Sequence, residues 1–252
     1  MIRISKPAIA PTHLDRGVAV TAANCAAFDA ESLLFIEGLE GFDFDTGIYG
    51  HASVKSQLET AQHGKCCYCE NRFRAAAPGD VEHFRPKKGV RQNNGHPIEY
   101  PGYYWLAYSW SNLYFVCPNC NRSGKRSFFP LRDSTKRARI HTDNIQHEQP
   151  LLVDPGGPDD PRDHIQFHGE VAKGVTAKGR QTVKTLQLDR QALNEERLVE
   201  ANRIKMMRDI VKTHEANPSP QYKVIADKAR RYLENAVKPE AIFSAMAQDL
   251  LR

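Results

Sequence analysis

At 252 residues, 40% hydrophobic and 26% charged, the chain is long enough to bury a proper core and has the make-up of an ordinary soluble globule. Its start, Met1-Ile2-Arg3-Ile4-Ser5-Lys6-Pro7, lacks the apolar run of a signal peptide, and no stretch approaches about 18 uninterrupted apolar residues. The expected setting is cytoplasmic with no membrane partner, where a reducing pool makes paired cysteines point to metal before disulfide.

The net charge of +5 is unevenly spread: residues 61–140 carry 14 Lys and Arg against 5 Asp and Glu, residues 1–60 carry 4 against 8, and residues 141–252 carry 17 against 17. A localised basic segment is the electrostatic footprint of a polyanion binder. In chain order, Ala22 to Phe28 reads as a short helix with Cys25 as a small buried group, and Glu31 to Glu37 continues it. His51 to Gln62 reads as an amphipathic helix with Val54, Leu58 and Ala61 on one stripe, stopped by Gly64. Val81 to Phe84 and Leu113 to Val116 read as short strands, and the polar stretch from Lys87 to Pro101 as an exposed loop. The aromatic run Tyr103, Tyr104, Trp105, Tyr108, Trp110 suits base stacking, but core packing is the favoured reading. Arg132 to Arg139 reads as solvated surface, Pro150 to Pro161 as a turn-rich wrap, and Ile165 to Val171 as a hairpin. Apolar spacing then turns helical: Asn194 is the expected N-cap of one helix, and Ser219-Pro220 and Lys238-Pro239 the expected starts of two more. This divides the chain into an N-terminal helical or irregular segment, 1–62, a chemistry-bearing module, 63–140, and a linker, hairpin and helical region, 141–252.

The chemical content is concentrated between Cys66 and Arg126. Cys66-x2-Cys69 and Cys117-x2-Cys120 are two knuckles of the spacing that presents four thiolates to zinc, and a closed four-cysteine set makes that zinc structural. Cys67 is out of register for this pairing and reads as a packed thiol. Between the knuckles lie Glu82-His83 and Asn112, and Asn121 follows the last cysteine. A histidine can take a proton from water near neutral pH, and a hard divalent ion held by oxygens can neutralise a scissile phosphate. Arg85, Lys87, Arg122, Lys125 and Arg126 cluster around this motif as candidate phosphate contacts.

This combination resembles the HNH endonuclease family and its ββα-metal fold. The resemblance implies an α+β, mainly helical chain: a small ββα-metal core clamped by a four-cysteine zinc site, with helical N-terminal and C-terminal parts. It implies His83 as general base, Glu82 and Asn121 as oxygen ligands of a catalytic Mg2+ or Mn2+, and Asn112 as a residue that orients His83 or braces its loop. Many family members have Asp where this chain has Glu82. Val81-Glu82-His83-Phe84-Arg85-Pro86-Lys87, Tyr104 to Tyr108 followed by Trp110-Ser111-Asn112-Leu113, and Pro150-Leu151-Leu152-Val153-Asp154-Pro155 further resemble the HNH subunit of Septu and retron-associated anti-phage systems. That implies a defence nuclease acting on nucleic acid, DNA favoured over RNA, beside an SMC-like ABC-type ATPase. The chain has no G-x4-G-K-[ST] loop, so any ATP dependence must come from that partner. The competing expectations are a zinc-stabilised nucleic-acid-binding module without catalysis, and a scaffold subunit.

Overall fold

The computed structural model describes residues 1–252. About half of the chain is helical, and the strands form two separate two-stranded antiparallel sheets. In the N-terminal segment a 3-10 turn, Thr12–Arg16, leads into α1, Gly17–Ile36, a far longer helix than the two short pieces expected. Alanine, the best helix former, fills its outer face; the stretch from Glu31 continues the helix as expected, but across a kink at Glu31 (φ −141°, ψ 46°). Gly17 lets the helix start against Tyr108, since a Cβ there would lie 2.3 Å from the ring's Cγ. Cys25 is half-buried beside Phe28 and not a fully buried filler. By length and composition the stretch Thr12–Ile36 is apolar enough to cross a membrane, with 17% of its most apolar window buried. No uninterrupted apolar run marks it in the sequence, because Asp15, Arg16, Asp29 and Glu31 lie along it. The helix gives Phe28 and Phe35 to an aromatic cluster with Tyr104.

After α2, Thr46–Tyr49, helix α3, Ala52–Ala61, buries Val54 and Leu58 completely, as the stripe predicts. His63 and Gly64 both take positive φ, and the Gly64 amide donates to Glu59 O, ending the helix where the glycine was expected to end it. The first sheet pairs β1, Asp80–His83, with β2, Leu113–Val116, in the register Asp80↔Val116 to His83↔Leu113. All of β2 is buried. Its outer edge is completed by a side chain: Gln62 accepts from Phe115 N and donates to Phe115 O at 2.6 Å. The Tyr103–Trp110 run packs the core, with Tyr103 and Tyr104 fully buried. The loop before it is less exposed than its composition suggests, because Val90 is buried and pairs with Glu99. The basic run 132–139 likewise sends Arg137 inward, to Tyr103 Oη, Gln92 Oε1 and Phe129 O.

In the C-terminal region α4, Pro161–His164, leads to the expected hairpin of β3, Ile165–His168, and β4, Val171–Gly174. Helices α5, Ala177–Leu186, α6, Gln191–Ala216, α7, Pro220–Ala236, and α8, Ser244–Leu250, follow. Ser219-Pro220 opens α7 as expected. Asn194 is not a cap: Gln187 closes α5 in the left-handed region and α6 starts four residues on, so Asn194 lies in its first turn and donates to Asp189 O. Lys238-Pro239 does not start a helix either. The carbonyls of Pro239 and Ala241 turn inward to accept from the buried Lys65 ammonium, at 2.6 and 2.7 Å, which leaves α8 to begin at Ser244. One core of 42 buried residues runs through all three sequence segments, from Met1, Val54 and Phe115 to Leu152, Ile204 and Met246. Glu70 ties these segments together, meeting the Met1 ammonium at 2.8 Å, Lys65 at 3.4 Å and Ser244 Oγ at 2.8 Å.

Candidate active site and metal centre

The two knuckles meet at the base of the β1–β2 sheet. The sulfurs of Cys66, Cys69, Cys117 and Cys120 all lie within 4.8 Å of one another, and all four residues are buried. Soft thiolates converging in a closed set fit zinc, and no ligand position is left for substrate. Burial pushes the Cys66 thiol up, whereas hydrogen bonds with the neighbouring thiols draw Cys69 down. The knuckle turns are closed by backbone bonds: Glu70 N to Cys66 O at 3.0 Å, Asn121 N to Cys117 O at 3.1 Å, and Cys120 N to Cys117 Sγ at 3.5 Å. Arg190, at the mouth of α6, points Nη1 to Cys120 Sγ at 3.7 Å and brings a positive charge to the thiolates. Cys67 is buried but stands outside the quartet.

Glu82 and His83 end β1, and consecutive residues of a strand point to opposite faces. On one side, the His83 ring is 5% exposed and lies edge-on to Tyr49 of α2, with centroids 4.7 Å apart. Its Nε2 is 2.9 Å from Ala107 O; a carbonyl only accepts, so Nε2 carries the proton and Nδ1 is left as a lone pair. Lys87 Nζ stands 3.5 Å from that Nδ1 and 4.5 Å above the Tyr49 ring. Burial, then the Lys87 charge, pull the imidazole down to about 3, so His83 is neutral. Burial also lowers Lys87 to about 8, against the opposing pull of Glu82.

On the other side, Glu82 is 7% exposed and its Oε1 receives Lys125 Nζ at 2.6 Å. Burial raises this carboxyl, and Lys125 opposes the rise without cancelling it. Lys125, expected among the surface phosphate contacts, is wholly buried and donates also to His83 O at 2.8 Å. It arrives from a seven-residue π-helical turn, Asn119–Lys125, which stands where the resemblance implies an α-helix opened by Asn121. The bond from Arg126 N to Asn121 O spans five residues, and Gly124 is pressed against the backbone of Leu186, where a Cβ would come within 3.2 Å.

Asn121 does not join Glu82. Its Nδ2 donates to Asp80 Oδ2 at 3.0 Å, and Arg122 grips the same carboxylate through two bonds, at 2.9 and 2.7 Å. Burial raises Asp80, but these donors outweigh it and hold the carboxyl below its ordinary value. Asp80 was missed in the sequence, although its place two residues before Glu82 puts both acids on one strand face. Asn112 braces the loop and does not touch the His83 side chain: its Oδ1 accepts from Arg85 N at 2.7 Å and its Nδ2 donates to Arg85 O and Leu106 O. Arg85 is taken up by buried Glu148 at 2.9 Å and packs over Phe129, leaving Arg122 and Arg126 as the exposed cations of the five. Tyr49 and Glu148 carried no sequence signal, and Ala107 entered only as part of the Tyr104 to Tyr108 motif with no role of its own, because only the folded chain brings them to this site.

No protein-family model matches the chain, so the HNH resemblance rests on the motifs themselves. A curated relative does match: the chain is 38% identical over 162 residues to Septu protein PtuB of Bacillus mycoides (strain KBAB4). The alignment takes in 63% of this chain and 54% of that protein, so the chain spans about half the length of the relative. The narrower resemblance drawn from the motifs is thereby supported: in sequence, this chain is similar to a Septu PtuB protein.

Proposed function

We propose that the chain is an HNH-type phosphodiester hydrolase, with His83 as general base, that serves anti-phage defence in the cytoplasm alongside an SMC-like ATPase. The likeness to Septu protein PtuB supports the defence role. The observation that carries the catalytic part is the state of His83: Ala107 holds its Nε2 proton and leaves Nδ1 unprotonated beside Lys87. A base pulled down to about 3 is weak, because burial and the Lys87 charge both disfavour the imidazolium. A phosphate anion arriving at Lys87 would neutralise that charge and strengthen the base only when substrate is present. The exposed Arg122 and Arg126 would hold the flanking backbone.

Glu82 and Asn121 were expected to hold Mg2+ or Mn2+. As folded they do not form an open oxygen-donor site: Glu82 is already neutralised by Lys125, and Asn121 is turned to Asp80. The closure of His83 under Tyr49 favours the second reading, a zinc-stabilised nucleic-acid-binding subunit without catalysis. Substituting His83→Ala and assaying nicking of supercoiled DNA, with and without Mg2+ or Mn2+, separates the two. Nicking lost in His83→Ala at unchanged DNA affinity supports the hydrolase. Nicking that survives the substitution removes His83 from the mechanism. An absence of nicking in the parent, with DNA still bound and the ATPase present, favours the binding subunit.

A further inference from the structure

The strongest contact at the proposed site is one that a metal site should not contain. Lys125 places its ammonium 2.6 Å from Glu82 Oε1 and 2.8 Å from His83 O, and is itself wholly shielded from solvent. A carboxylate oxygen and a backbone carbonyl oxygen are two of the hard ligands a divalent ion takes. The lysine is thus a resident cation on those ligands.

The charge balance makes the occupancy exclusive. Glu82 is the carboxylate that Lys125 meets, and the next acid on this strand face, Asp80, is already bound by Arg122 and Asn121. A divalent ion entering beside Lys125 would gather three positive charges on one buried carboxylate, with Lys87 adding a fourth close by. At short range in a poorly solvated site such repulsion outweighs what one carboxylate returns.

We propose that Lys125 stands in place of a divalent ion on Glu82, so that the residues present do not fit such an ion and the chain as folded excludes it there. This rests on Glu82 being the acid of the site and not on phosphodiester hydrolysis; it is tested without substrate, so its failure and that of the nuclease reading are distinguishable. Mn2+ binding to the zinc-loaded full chain is followed by loss of the free-ion paramagnetic resonance signal. Lys125→Met is expected to bind one Mn2+ at least tenfold tighter than the parent, and the gain is expected to vanish in the double variant Glu82→Gln/Lys125→Met. Equal or weaker binding by Lys125→Met, or a gain that persists in the double variant, overturns the proposal.

Because Lys125→Met leaves Glu82 unpaired and could fail to fold, a second measurement uses the parent chain. Lys125 should resist an amine-acetylating reagent, by mass spectrometry of its peptide, both without ions and with millimolar Mg2+, and should become modified in Glu82→Gln. Labelling of Lys125 in the parent that rises with Mg2+ refutes the exclusion.

Discussion

Replacing His83 by glutamine removes a group whose burial makes stability depend on pH in a defined window. In the fold the imidazole sits near 3; in the unfolded chain it returns to 6.5. Between those values the unfolded state binds a proton that the folded state refuses. Stability therefore falls as pH drops below 6.5, and the loss stops growing only near 3. Worked through, the loss relative to pH 8 is about 1.4 kcal/mol at pH 5.5 and about 2 kcal/mol at pH 5. Glu82 works the other way: burial raises it, so its protonation in the fold resists acid. Glu82, the other nine histidines and the zinc thiolates are common to both chains and cancel in the difference. The assay is urea unfolding of parent and His83→Gln at saturating zinc, at pH 8, 6 and 5. The variant should close the gap to the parent by about 2 kcal/mol on going from pH 8 to pH 5. Parallel lines across that range would show that the ring is solvated or protonated in the fold, and would refute the placement of His83.

The metal centre makes a sharper prediction: the purified chain should hold one zinc, Cys117→Ser should lose it and unfold cooperatively on mild chelation, and Cys67→Ser should keep it, as elemental analysis and melting curves would show. Glu148, buried under Arg85, Tyr103 Oη and Ala138 N, is the most costly acid to remove on the Arg85 side; Glu148→Ala should cost about 3–5 kcal/mol in urea unfolding, because Arg85 is left without its counter-charge. If the exposed cations meet nucleic acid, Arg126→Gln should lower affinity and reduce the salt slope of binding by about one, with no change in melting temperature. An unchanged slope would remove Arg126 from the interface.

What could be read in advance follows the range of the interactions involved. The cysteine spacing is local geometry, so the quartet was legible, and so were β2, α3 with its glycine stop, and the β3–β4 hairpin, each fixed by period or turn chemistry. The aromatic run 103–110 was correctly placed in the core. Errors fell where a distant partner overrides the local signal. Asn194 has cap chemistry, but the left-handed Gln187 sets the helix start; Pro239 has the right residue for a helix opening, but Lys65, 174 positions away, claims its carbonyl. The same holds at the site. His83 and Asn112 could be named from the motif, yet whether Arg85 and Lys125 face solvent or a buried acid depends on Glu148 and Glu82, and no periodicity reports that.

The five-residue bonding of the turn Asn119–Lys125 has a consequence for chain length at this point. A π-turn carries one residue more than the α-turn it replaces, and that surplus sets the reach of Lys125 while Asn121 stays on Asp80. Deleting Ser123 should relax the turn to ordinary helix and rotate the lysine off Glu82, with the asparagine unmoved. The spacing between asparagine and lysine thus acts as a length code. Chains one residue shorter here should present a bare carboxylate, and chains of this length a carboxylate with its own counter-ion attached.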